Sequence, residues 1–270
     1  MRSVLVSAVL VLVGLYAFAR YARSASMFFP SRYPEGSWET TAEDHWYKAA
    51  DGVKLHGWLF RARNAGAPLV VWLHGNGGNI TDRAATAATL AERGLSVFLA
   101  EYRCYGRSEG QPTESGLYLD ALAAHDYAAR INPDIVMYGE SLGGPIAAYV
   151  AKERKVRRVV IENSFPSLRE LGNTLYAPIP LGWMAPRAMA TKRWLNHARV
   201  PVLVMHGKRD QVIPYQLGVA LYEGLTVPKE MLTSETAGHS EIPSVEGLRY
   251  YDTVVKFVTA TDTAARTTLK

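Results

Sequence analysis

The stretch Gly139-Glu140-Ser141-Leu142-Gly143 constrains this chain more than any other part of it. It joins an apolar run, Ile135-Val136-Met137-Tyr138, to a small-residue segment, 144–150, that reads as helix. A Gly-x-Ser-x-Gly at a strand-to-helix junction reads as a nucleophile elbow. The turn is so tight that Ser141 must take up a strained backbone conformation. Side chains two positions to either side would collide with neighbouring chain, which accounts for the glycines. The strain holds the hydroxyl clear of the sheet, where a base and a substrate carbonyl can both reach it. The motif alone is only moderately specific, and its plain competitor is Ser141 as the N-cap of the following helix. What surrounds it decides between the two.

A regular alternation of strands and helices surrounds it. Segments 40–47 and 54–61 read as strands joined by the turn Asp51-Gly52, a hairpin. The run 68–73 is continuously apolar, as a buried parallel strand should be. Segment 81–93 is Ala-rich and helical, closed by Gly94. Strand 95–101, helix 116–130 and strand 134–138 lead into the elbow, and helix 144–153 and strand 156–161 follow it. Strand 200–205, helix 214–225, strand 229–234 and helix 245–259 complete the series. Such alternation implies a mostly parallel sheet covered on both faces, with reactive residues at the carboxyl ends of strands.

Three further elements fall at those strand ends. His74-Gly75-Asn76-Gly77-Gly78-Asn79 follows Leu73; Asp210 closes His206-Gly207-Lys208-Arg209-Asp210; His239 stands in Ala237-Gly238-His239-Ser240. Serine, acid and histidine thus occur in that order, each leaving a different strand, which is far more specific than the elbow alone. Each assignment has a bland rival. Asp210 can be a turn residue bonding its own backbone, with Glu162 as the reserve acid. His74 and His206 read as packing or hydrogen-bonding residues, and His45, His56 and His125 as structural or solvated. Cys104, the single cysteine, reads as a buried small side chain and rules out an internal disulfide framework.

These motifs make the chain resemble the α/β-hydrolase fold superfamily from about residue 38 to residue 257. A softer match is Tyr102-Arg103-Cys104-Tyr105-Gly106-Arg107-Ser108-Glu109-Gly110, which is similar to a stretch of its membrane-anchored, α/β-hydrolase-domain-containing members. Cys104 stands where those members usually carry glycine. The resemblance implies an α/β-hydrolase fold at 38–262: a mostly parallel eight-stranded sheet, helices on both faces and a small cap insert at about 163–198. It implies a serine hydrolase that cleaves carboxylic ester, thioester or lipid acyl bonds through an acyl-enzyme intermediate. Ser141 would be the nucleophile, His239 the base and Asp210 its orienting acid. The backbone N–H groups of Leu142 and Asn76 would face the oxyanion, and no metal or cofactor is needed. A serine peptidase acting on small peptides and a non-catalytic binding protein on the same fold are the alternatives.

Substrate choice is expected in the insert. Phe165, Trp183 and Met184 are candidates to line an apolar acyl pocket, the plain alternative being that they pack onto the sheet. The net charge of +5 over 270 residues comes without a concentrated basic tract, so nucleic acid is not expected as a partner. At the N-terminus, 4–19 carries no charge and is dominated by Val, Leu and Ala, with Arg2 before it and Arg20 and Arg23 after it. It reads as a membrane anchor at 1–24 followed by a linker at 25–37, cleavage as a signal sequence with export being the other reading. With an apolar insert, an anchored chain favours an acyl ester or a lipid as substrate.

Overall fold

A computed structural model describes residues 28–32, 40–63, 66–178 and 189–261. The whole of the expected anchor, most of the expected linker, and the candidates Trp183 and Met184 lie outside the described residues. Among the described residues no helix is long and apolar enough to cross a membrane.

Eight strands form one sheet: β1 (Glu43–Lys48), β2 (Lys54–Phe60), β3 (Leu69–Leu73), β4 (Val97–Ala100), β5 (Ile135–Glu140), β6 (Arg158–Glu162), β7 (Val202–Gly207) and β8 (Lys229–Ser234). Their order is β1-β2-β4-β3-β5-β6-β7-β8. Only β2 runs against the rest, pairing antiparallel with β1 and with β4. The inner strands β3, β5, β6 and β7 are buried along their whole length. That burial on both faces is why they read as unbroken apolar runs. The edge strands β1 and β8 are partly exposed.

Among the described residues eight α-helices accompany the sheet: α1 (Ala84–Glu92), α2 (Glu114–Ile131), α3 (Gly143–Glu153), α4 (Leu168–Leu175), α5 (Thr191–Ala198), α6 (Tyr215–Glu223), α7 (Ile242–Glu246) and α8 (Leu248–Thr259). Alternate residues of β3 feed opposite faces, as the two-residue period of a strand requires. Leu69, Val71 and Leu73 pack with Leu117 of α2, Ile146 of α3 and Leu221 of α6. Val70 and Trp72 pack with Leu90 of α1 and Val254 of α8. A 3-10 turn, Ile80–Arg83, precedes α1, capped by the Asn79 side chain. The expected helix over 245–259 is instead two helices, broken at Gly247, whose φ of 51° lies in the left-handed region.

The insert after β6 contributes α4 and α5. Ser167 caps α4, and Lys192 of α5 pairs with Glu170 of α4 at 2.9 Å. Trp194 of α5 packs edge-on against Tyr118 and Tyr149, which fixes the end of the insert to α2 and α3.

Candidate active site

The elbow is built by close approach of backbone. A Cβ added at Gly143 would lie 2.0 Å from the carbonyl oxygen of Leu73, and one at Gly139 would lie 2.3 Å from that of Gly143. Glycine is the only residue that fits either position. Between them Ser141 has φ 53°, a left-handed conformation that a non-glycine residue adopts only under constraint. The constraint is visible: Ser141 N–H donates to the Glu162 carbonyl at 2.8 Å, and Ser164 Oγ donates to the Ser141 carbonyl at 2.8 Å. Cys104 also lies in the left-handed region, at φ 71°, which explains the glycine usual at that position. It is half-buried rather than buried.

The three residues singled out for their order along the chain meet in space. His239 Nε2 lies 2.9 Å from Ser141 Oγ, and His239 Nδ1 lies 2.8 Å from Asp210 Oδ2. Asp210 sits at the turn after β7, where its Oδ1 accepts the Val212 and Ile213 N–H groups at 2.9 and 2.8 Å. It is therefore a turn residue and a histidine partner at once. Burial would raise its pKa, but hydrogen bonds from His206 and His239 and the His239 charge outweigh this and hold it well below the usual carboxylate range. An ionised carboxylate requires Nδ1 to carry the imidazole proton, which leaves the Nε2 lone pair facing the serine hydroxyl.

Residues outside the motifs hold this alignment. Asn163, also left-handed at φ 45°, accepts the Gly207 N–H through Oδ1 at 3.0 Å and donates through Nδ2 to the His239 carbonyl. One side chain thus ties the end of β7 to the histidine loop. His206, buried, bonds the Ile213 carbonyl at 2.9 Å and lies 3.4 Å from Asp210. Glu162, the reserve acid, takes no part in the relay: its carboxyl accepts from Tyr138 Oη, which in turn lies 2.9 Å from Tyr250 Oη. Burial first, then the neighbouring Glu140 charge, push its pKa up to about 8.

The loop after β3 lies against Ser141. A Cβ on Gly75 would meet the Ser141 Cβ at 3.4 Å. Tyr105 Oη donates to both the carbonyl and the Oδ1 of Asn76, at 3.0 Å each, and His74 bonds Glu101 at 3.2 Å beneath it. Leu142 is the N-cap of α3, so its N–H precedes the first intrahelical bond. Glu140, buried under the elbow, takes the fork of Arg83 at 2.6 and 2.8 Å. Burial would raise the Glu140 pKa, yet the Arg83 charge and hydrogen bonds hold it below its ordinary value. Phe165 is 3% exposed within the main core cluster and does not line the cavity beside His239. Among the described residues no group of three His, Cys, Asp or Glu side chains could hold a metal ion.

A hydroxyl, an imidazole and a carboxylate in line can move a proton from the hydroxyl as it attacks an electrophile, and return it to a leaving group. A family model described as serine aminopeptidase, S33, matches residues 66–186. An uncharacterized protein of Mycobacterium tuberculosis is 31% identical over 270 residues, covering 96% of each chain. Protein bem46 of Schizosaccharomyces pombe is 26% identical over 90% of this chain and 88% of its own. In structure, an esterase of Pyrococcus furiosus superposes with a TM-score of 0.67 at 22% identity, over 85% of this chain and 98% of that one. An esterase from Exiguobacterium antarcticum gives 0.61 at 19% identity, over 81% and 100%. With the sheet order and the elbow, these likenesses place the chain in the α/β-hydrolase superfamily, in one family with the Mycobacterium tuberculosis protein.

Proposed function

We propose that this hydrolase is a serine esterase that cleaves carboxylic ester bonds through an acyl-enzyme. The observation that carries the reading is the unbroken relay from Asp210 Oδ2 through His239 to Ser141 Oγ, at 2.8 and 2.9 Å. In the first step Ser141 Oγ attacks the ester carbon while its proton passes to His239 Nε2. Asp210 stabilises the imidazolium that forms. The C–O bond to the alcohol then breaks, and the alkoxide takes the proton from Nε2. Water, deprotonated by the same nitrogen, releases the acid. The N–H groups of Leu142 and Asn76 face the oxyanion, each contributing about 3–4 kcal/mol to the transition state. The α3 dipole adds to the Leu142 donor.

The fold is shared with esterases of Pyrococcus furiosus and Exiguobacterium antarcticum and, to a similar degree, with an acylaminoacyl peptidase of Pyrococcus horikoshii, so it is compatible with ester and with amide chemistry. The second reading, a peptidase acting on small peptides, draws on the family description as a serine aminopeptidase. We further propose that 1–24 tethers the domain to a membrane, on the strength of the uncharged 4–19 segment between arginines, and that an acyl ester or lipid of that membrane is the substrate. The test is hydrolysis of short- and long-chain nitrophenyl esters beside a panel of amino-acid amides. Ester turnover that disappears in His239→Ala is expected; amide turnover alone would favour the peptidase, and turnover of neither would overturn both.

A further inference from the structure

We infer that residues 28–32 form a strap that positions the second oxyanion donor, the Asn76 N–H, and that turnover depends on it. The inference rests on the esterase reading above and adds a positioning segment to it. The first donor, the Leu142 N–H, belongs to the elbow, whose backbone is pinned on both sides of Ser141. The second stands in a glycine-rich loop. Asn76 is followed by Gly77 and Gly78; a Cβ on Gly77 would meet nothing within 4 Å, and Gly78 has φ 73°. Glycines leave such a loop many conformations, whereas an oxyanion donor has to be in place before the charge develops.

The strap ties down both ends of the glycine pair. Ahead of it, the Phe29 N–H donates to Asn76 Oδ1 at 3.2 Å. Behind it, Asn79 Nδ2 donates to Ser31 Oγ at 3.1 Å. Tyr105 Oη also reaches Asn76, but its one proton is divided between the carbonyl and Oδ1, so the Phe29 N–H is a separate tie. The strap is itself fastened to the neighbouring loop after β4. The Ser31 carbonyl accepts the Gly106 N–H at 2.9 Å, and Arg32 Nη1 donates to the Ser108 carbonyl at 2.7 Å. Phe28 is buried in the main core cluster, which seats the other end. The Phe29 residue is 63% exposed, so what it gives the loop is its backbone N–H.

The test is steady-state hydrolysis of nitrophenyl butyrate by the full chain and its variants. Phe29→Pro deletes the N–H at a position that Pro30 already holds extended. It should lower kcat at least about tenfold with KM changed less than about threefold, because a misplacement of about 1 Å costs up to about 10²-fold. Phe29→Ala, which keeps the N–H, should recover most of that loss. In Asn76→Ala the acceptor is gone, so adding Phe29→Pro should cost less than about twofold more. A trifluoromethyl ketone reports on the hole itself: Ser141 Oγ adds to its carbonyl carbon, the proton passes to His239, and the hemiketal oxygen carries the charge. Its affinity should fall in step with kcat/KM. Arg32→Met removes an exposed side chain and the tie to Ser108; it should lower kcat at least about threefold with Tm unchanged, and it carries the test if Phe29→Pro does not fold. Native kcat in Arg32→Met and in folded Phe29→Pro, an equal loss in Phe29→Ala, full additivity with Asn76→Ala, or ketone affinity unmoved while kcat falls would overturn the inference and spare the esterase. No turnover of nitrophenyl butyrate by the native chain would overturn the esterase reading and this inference with it.

Discussion

Replacing Arg83 by Met strands a carboxylate beneath Ser141, and the size of the effect follows from burial. The Arg83 side chain is 11% exposed and that of Glu140 is 6%. Breaking a buried pair by removing one partner destabilises a protein by about 3–5 kcal/mol, because the remaining charge has neither water nor counter-ion. In a domain of this size each kcal/mol moves Tm by about 2–4 °C, so Arg83→Met should lower Tm by roughly 6–20 °C. Removing both charges together, in Arg83→Met/Glu140→Met, should restore most of that loss, since apolar replacement of a whole buried pair is commonly neutral. The pH dependence has a definite sign. Arg83 holds the Glu140 pKa below its ordinary value, so the stability from the pair is present above the unfolded carboxylate pKa and is lost as pH falls through the folded one. Without Arg83, burial raises that pKa, and the deficit of the variant should be largest at neutral pH and shrink on acidification. Thermal and urea unfolding of the four proteins in the double-mutant cycle, at pH 5 and pH 8, measures this directly. A single-variant loss below about 1 kcal/mol, or a double variant as unstable as the sum of the singles, would refute the reasoning.

Asp210→Asn keeps an oxygen for the two turn N–H groups but presents an amide donor to His239; kcat should fall by about 10⁴ with KM and Tm little changed, read by steady-state kinetics. Gly143→Ala drives a Cβ to within 2.0 Å of the Leu73 carbonyl and should lose at least about 1–3 kcal/mol in urea unfolding. For Glu162 the folded pKa is raised to about 8, so native protein holds a proton the unfolded chain has released. Stability should therefore decline as pH rises from the unfolded carboxylate pKa towards 8, and Glu162→Gln should flatten that decline in Tm against pH.

Ser141, Asp210 and His239 were legible because the chemistry demands fixed residue types, and parallel strands deliver them to one edge in readable order. The inner strands were legible because burial on both faces leaves only apolar residues. The helix read over 245–259 concealed a break, since a glycine inside an amphipathic pattern carries no sign of whether φ turns positive. Other determinants leave no sequence period. Asn163 ties two loops through one amide, His206 supports Asp210 from four residues back, and Arg83 reaches Glu140 across 57 positions. A charged residue inside an otherwise apolar strand end, as at Glu140 and Glu162, is the one signal that could have pointed to the buried network. Phe165, read as lining a pocket or packing onto the sheet, packs in the core; the sequence left both open because a large apolar side chain after a strand satisfies either role equally well.

Labelling with a fluorophosphonate, followed by peptide mapping, tests the proposed role of Ser141 itself. The account predicts a single adduct on Ser141 in the native protein, none in Ser141→Ala, and labelling slowed at least about 10²-fold in His239→Ala, the low end of what a positioned base contributes. An unlabelled native protein, an adduct on another residue, or equal labelling of Ser141→Ala would contradict it.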